Sequence, residues 1–189
     1  MANEVKNYVT LLEGNSSATA EFDSLLDLVT SGDSFNAPHA MFDDWSTTPE
    51  ETADWYTANL GSSTCVVTHA DSSASLLILE STTTAPEALL LKIHQALHAQ
   101  DADSILVVQY SDGTQFGSMV FAGGSLYNKE HQSDTSSLTI PDAVTQEFTD
   151  EDDKAADRQS IYGSLSQTNT AIWDWQWNQI DTDVTAYKA

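Results

Sequence analysis

Apolar side chains fall into short periodic runs along this chain, and their spacing divides it into three parts. In the first, Val5, Tyr8, Val9 and Leu12 recur at the three- and four-residue spacing of a helix face, and Gly14-Asn15 ends the run. Phe22, Leu25, Leu26 and Val29 repeat the spacing, with Gly32 as the stop. Residues 33–47 read as a loop rich in Asp and aromatics. Thr48-Pro49-Glu50-Glu51 then carries a helix start: Thr48 as cap, Pro49 in the first turn, Glu51 closing a capping box. That third helix carries Trp55, Tyr56 and Leu60 and stops at Gly61.

The middle of the chain changes period. Thr64 to His69 and Ser75 to Glu80 are β-branched or aliphatic runs joined by Asp71-Ser72-Ser73, the pattern of a hairpin. Thr84-Ala85-Pro86-Glu87 is a second capping-box sequence, and Leu89, Leu90, Ile93, Ala96 and Leu97 follow at helical spacing, which predicts a helix over 86–99. Ser104 to Tyr110 and Phe116 to Phe121 are two further strands, with Asp112-Gly113 as their turn and Gly123-Gly124 closing the block.

The last part is less regular. Residues 128–137 are polar and turn-rich. Leu138-Thr139-Ile140-Pro141 reads as a short edge segment, Asp150 to Asp153 as a solvated acid run, and Ala155 to Leu165 as a helix. Ile172-Trp173-Asp174-Trp175-Gln176-Trp177-Asn178 alternates aromatic with polar, the period of a half-buried strand. The pattern as a whole predicts an α+β fold. Helices come first, then an antiparallel sheet with one inserted helix, then a C-terminal aromatic strand or tail. Residues 1–124 form the core, and 125–189 an extension packing on that core or on a neighbouring subunit.

Charge alters this picture more than composition does. Asp and Glu number 29 against 6 Lys and Arg over 189 residues, a formal charge of -23. In dilute buffer such a surface repels itself and opposes the compact state. At molar salt the screening length falls to about 3 Å and the repulsion largely vanishes. Asp outnumbers Glu, hydroxyl side chains abound and Lys is scarce. Short polar side chains hydrate a surface without the apolar stem that Lys adds. The expectation is a protein adapted to high salt. Six scattered bases cannot replace the counterions of a nucleic acid or bind an anionic membrane, so both are excluded as partners. Cys65 is alone in an apolar run, which leaves no internal disulfide and no thiolate cluster. No signal peptide and no transmembrane segment is expected, which places the protein in the cytoplasm of a high-salt cell or in a virion.

Candidate chemistry is sparse. His94 and His98, four apart on one predicted helix, have the spacing of two zinc ligands, but Gln95 stands where a metalloprotease helix carries Glu. The loop His39 to Trp45 mixes a base, carboxylates and aromatics, and a carboxylate beside Trp45 in an apolar pocket would have a raised pKa. Neither Asp101-Ala102-Asp103 nor Asp150 to Asp153 continues into a calcium loop. No cofactor is expected. Trp173, Trp175 and Trp177 have three readings: core packing, a stacking platform for sugars, or an anchor in a neighbouring subunit.

Tyr8 to Asn15, Asp33 to Pro38 and Tyr110 to Gly113 resemble segments of the NTF2-like (SnoaL-like) superfamily. They correspond to the end of its first helix, the segment after its second, and a late hairpin. The resemblance covers residues 5–121. It implies a cone-shaped pocket for a small ligand, with Tyr8, His39, Asp44 and His69 as its candidate residues. The chain departs from that pattern at Thr84 to Glu87, where the family has a strand, and again after Gly124. Two function classes follow. The first is a non-enzymatic structural or assembly component, such as a virion protein, joined to other subunits through the Trp segment. The alternative is an NTF2-like ligand-binding protein or enzyme.

Overall fold

The computed structural model describes residues 4–30, 38–42, 53–127, 131–138 and 151–189, without the side chains of His39 and of 151–167. Its first element overturns the expected first helix. β1 (Glu4–Glu13) is a strand, with Val5, Asn7, Val9 and Leu11 buried on one face and Glu4, Lys6, Tyr8 and Thr10 turned to the other. It is hydrogen-bonded on both sides, to β3 (Leu76–Thr82) and to β4 (Ile105–Ser111). Two ladders and a β-branched composition outweigh the helical spacing that four of its apolar residues happen to share. Buried Asn7 hides the alternation, because it is a polar residue on the core face. Its Nδ2 donates to the carbonyls of Val5 at 3.0 Å and Leu79 at 3.3 Å and to Ser81 Oγ at 2.9 Å.

The other elements follow the predicted order: α1 (Ser16–Thr30), α2 (Ala53–Leu60), β2 (Cys65–Asp71), β3, α3 (Glu87–Gln100), β4 and β5 (Gln115–Ala122). β6 (Ser125–Leu126), β7 (His131–Asp134) and α4 (Glu151–Lys188) complete them. Among the described residues the sheet order is β2-β3-β1-β4-β5-β6, every pair antiparallel, with β7 on the first half of β5. The path β1-α1-β2-β3-α3-β4 with that order is the split βαβ arrangement, widened by β5 to β7. The fold is α+β, as the periods implied.

Local chemistry explains the element ends. Asn15 caps α1, its Oδ1 accepting from the N–H groups of Ser17 at 2.8 Å and Ala18 at 3.1 Å. The start expected for the next helix at Thr48 lies outside the described residues, and α2 ends before Gly61 as expected. The capping box expected before α3 does not form. Pro86 occupies the cap position without a side-chain bond, and Thr84 Oγ1 donates instead to the Gly61 carbonyl. Three sharp turns use one device: an Asp accepting from the hydroxyl residue two places on. Asp71 holds Ser73, Asp112 holds Thr114 and Asp134 holds Ser136, each through the backbone N–H and the side-chain hydroxyl. Those bonds, the hydroxyl first, hold the Asp71 and Asp134 carboxyls below the usual range. Gly123-Gly124 does not end the sheet. Both residues have positive φ, 60° and 75°, and turn β5 back into β6.

Helices α1 and α3 pack on one face of the sheet, where Phe22, Leu26, Leu89, Leu90, Ile93 and Leu97 meet Val9, Leu77, Leu79, Val108 and Phe121. Each fully buried side chain of this size is worth about 1.5–3 kcal/mol of transfer free energy. Helix α4 crosses the opposite face over β5 and the edge of β4. Its 38 residues span about 57 Å at 1.5 Å per residue. The Ile172 to Asn178 segment, expected as a strand, lies inside this helix. Its buried face is Ile172, Gln176, Ile180, Asp183 and Val184, a helical repeat that two polar members conceal. No helix among the described residues is long and apolar enough to cross a membrane.

Candidate functional site

Where α4 leaves the sheet, it opens a cleft of about 760 Å³ against β1 and the β4–β5 turn. The strand alternation aims Glu4, Lys6 and Tyr8 into it from β1, Asp112 and Gly113 form its rim, and Asn169, Ile172 and Trp173 of α4 close it. Tyr8 and Trp173 meet at right angles, their ring centroids 5.9 Å apart and their planes at 88°. Trp173 is nevertheless 44% exposed. Lys6 Nζ lies 3.6 Å from Glu80 Oε1. A hydrogen bond to Glu80, followed by that neighbour's charge, pushes the exposed Glu4 carboxyl up from its ordinary value. Lys6 therefore lies beside a pair of mutually bonded carboxyls, and Asp112 adds a third at the rim. Asp112 Oδ1 holds the turn by accepting from Thr114 N–H at 2.8 Å and Gln115 N–H at 2.7 Å.

Gln176 fixes the helix at the floor of this cleft. Its Nε2 donates to the carbonyls of Tyr110 at 2.9 Å and Gly117 at 2.8 Å, residues paired across β4 and β5, and its Oε1 accepts from Gln109 Nε2 at 3.5 Å. Trp175 packs edge-on against Phe116 at 5.1 Å, and Trp177 joins the apolar contact of Ile180 and Val184 with Ile105, Val107 and Val120. Asp183 Oδ2 lies 2.9 Å from His131 Nε2, tying α4 to β7. Of the three tryptophans, two are spent on holding the helix and Trp173 alone presents itself outward.

A second cavity, of about 540 Å³, opens at one end of the helix-covered face, between Ala88 and Leu91 of α3 and Val5, Tyr110 and Met119 of the sheet. Thr83 on its lip has φ of 76°, and Thr84 N–H donates to the Thr82 carbonyl at 2.9 Å across it. This is a γ-turn centred on a β-branched residue, a strained conformation.

The candidates from the sequence do not converge. Tyr8 lines the outer cleft, and His69 stands exposed on β2. His39 lies on the short 3-10 turn Pro38–Met41, its side chain outside the described residues, and Asp44 falls outside them altogether. Tyr8 to Leu12, quoted for a family helix, is strand. His94 is fully buried; its Nε2 accepts from Gly124 N–H at 3.2 Å, and its ring lies 5.9 Å from that of His98. Burial first, and the charge of His98 second, push its pKa down to about 4, so it is a neutral, structural imidazole at pH 7. No group of three or more His, Cys, Asp or Glu side chains among the described residues could hold a metal ion. Burial pushes the Cys65 thiol up to about 12, which leaves it inert at neutral pH. Glu4, Asp112 and Gln176 were not marked by the sequence, because acids are everywhere in it and a lone Gln carries no signal.

Fold and clefts define an antiparallel α+β protein whose sheet, among the described residues, packs under α1 and α3 on one face and in part under α4 on the other. No family model, no curated protein and no solved structure matches the chain.

Proposed function

We propose that this is a non-enzymatic assembly component of a salt-adapted organism or its virus, and that it docks a second copy of itself on the outer face of β2 and β3. The observation that carries this reading is the incomplete cover of that face among the described residues. Helix α4 lies over β5 and the edge of β4, while Val66 on β2 is 45% exposed and Leu76 and Ile78 on β3 are half-buried. Tyr8 pairs with Ile78 across β1 and β3, and His69 pairs with it on the other side. On a chain of charge -23, an equally acidic neighbour can approach only where acids are few. The stretch around Ile78, Tyr8 and His69 is such a place, lying between Glu80, which faces Val66 across the β2–β3 ladder, and Asp71, which faces Leu76. The edge of β2, unpaired among the described residues, is a poorer contact, since a bulge between Val67 and His69 breaks its register.

Sedimentation velocity in molar sodium chloride tests the reading. The wild type is expected to run as a dimer or larger, and Val66→Asp as a monomer that still melts cooperatively, at a lower temperature. The dimer is expected to dissociate, and the monomer to melt lower, as salt is dialysed away. A monomeric wild type in molar salt, or a melting temperature indifferent to salt, overturns it.

A further inference from the structure

The outer cleft shares Tyr8 with the proposed docking face but adds a chemistry of its own. Tyr8 and Trp173 meet at 88° and form two adjoining walls. Trp173 keeps this place because Trp177, one turn on, packs edge-on against it at 6.1 Å. Aromatic faces carry negative charge density and attract cations that have lost part of their hydration. A third wall, Ile172, is apolar. The rim supplies Glu4 and Asp112. Among the described residues one cation lines the cleft, Lys6, and it already lies 3.6 Å from Glu80 outside it.

We propose that this cleft binds a small quaternary ammonium cation, seated in the corner that the Tyr8 and Trp173 rings form, with Glu4 and Asp112 balancing its charge. Ring-lined walls select an alkylated ammonium over sodium or potassium. A hydrated inorganic ion gains nothing from displacing its water for an aromatic face, whereas a methylated one buries apolar surface there as well. A neutral sugar would use the ring faces but not the carboxylates. The cleft of about 760 Å³ leaves room for substituents on the nitrogen.

The test follows the Trp173 indole N–H resonance, assigned by its loss in Trp173→Phe. Tetramethylammonium chloride replaces sodium chloride at constant molar salt around the full chain. The expected result is a saturable shift that tert-butanol, neutral and nearly the same shape, does not reproduce. In Glu4→Gln/Asp112→Asn the affinity is expected to fall at least about threefold, while the amide oxygen introduced by Asp112→Asn keeps the acceptor that holds the turn. No shift, a shift that never saturates, an equal shift with tert-butanol, or unchanged affinity in the double variant overturns the proposal. Val66→Asp is titrated in parallel. Its assembly is impaired by design, so binding there separates this site from the docking face.

Discussion

The two faces of one sheet are built on different principles. The face under α1 and α3 is dry: Phe22, Leu77, Leu79, Leu89, Leu90, Ile93, Leu97 and Phe121 are all fully buried. The polar group at its centre, Asn7, is held by three hydrogen bonds. The face under α4 is a mixture. A small apolar contact around Ile180 and Val184 is flanked by Gln176, Gln109, His131 and Asp183, and no described element covers the sheet beyond it at β3 and β2. Buried amides and a carboxylate contribute little net stability, yet each fixes the helix in one register, because a slip would strand a buried polar atom. The first face holds the fold together. The second positions a helix and leaves surface to spare, and the proposed docking face and cation cleft both lie in that spare surface.

Adjacent residues of β3 sharpen the comparison, since they point to opposite faces. Leu79→Ala should cost about 2–5 kcal/mol, the cost of a core cavity, read by denaturant melts in molar salt. A loss below about 1 kcal/mol would mean that the inner face is not the stabilising one.

His94 offers the next largest effect, through pH. Its folded pKa of about 4 lies below the ordinary 6.5, so below pH 6.5 the unfolded chain takes up a proton that the folded chain refuses. The contribution of neutral His94 is complete above pH 6.5 and is lost as pH falls towards 4, by at most about 3 kcal/mol. Many carboxylates titrate over the same range, so the difference between variants is the readout. The stability gap between wild type and His94→Gln should shift by up to that amount, against the wild type, between pH 7 and 4. Parallel curves would place His94 outside the buried face.

The sequence foretold the dry face well and the mixed face badly. Phe22 to Val29, Leu89 to Leu97 and both central hairpins announce themselves because most core positions are apolar, His94 being an exception, and the period is clean. β1 misleads because Asn7 occupies a core position, so the visible apolar residues, Val5, Tyr8, Val9 and Leu12, mimic a helix. α4 misleads in the opposite sense. Trp173, Trp175 and Trp177 imitate a strand, while the true buried repeat runs through Gln176 and Asp183. β7, His131–Asp134, has no strand-forming composition and owes its shape to pairing with β5. Part of the acidity also has a local purpose: the Asp residues at 71, 112 and 134 hold turns that Glu is too long to hold. The outer cleft was half legible, since the Trp segment drew notice but Glu4 and Asp112 were lost among like residues.

The smallest expected change in stability tests the central claim most directly. Ile78 lies half-buried beside Leu79, turned to the open face between Tyr8 and His69. Ile78→Ser is compared with wild type in molar salt, by melting and by sedimentation velocity on the same samples. The account predicts a stability within about 1 kcal/mol of wild type and a mass reduced to the monomer. A cost equal to that of Leu79→Ala, or an undiminished mass, would contradict it.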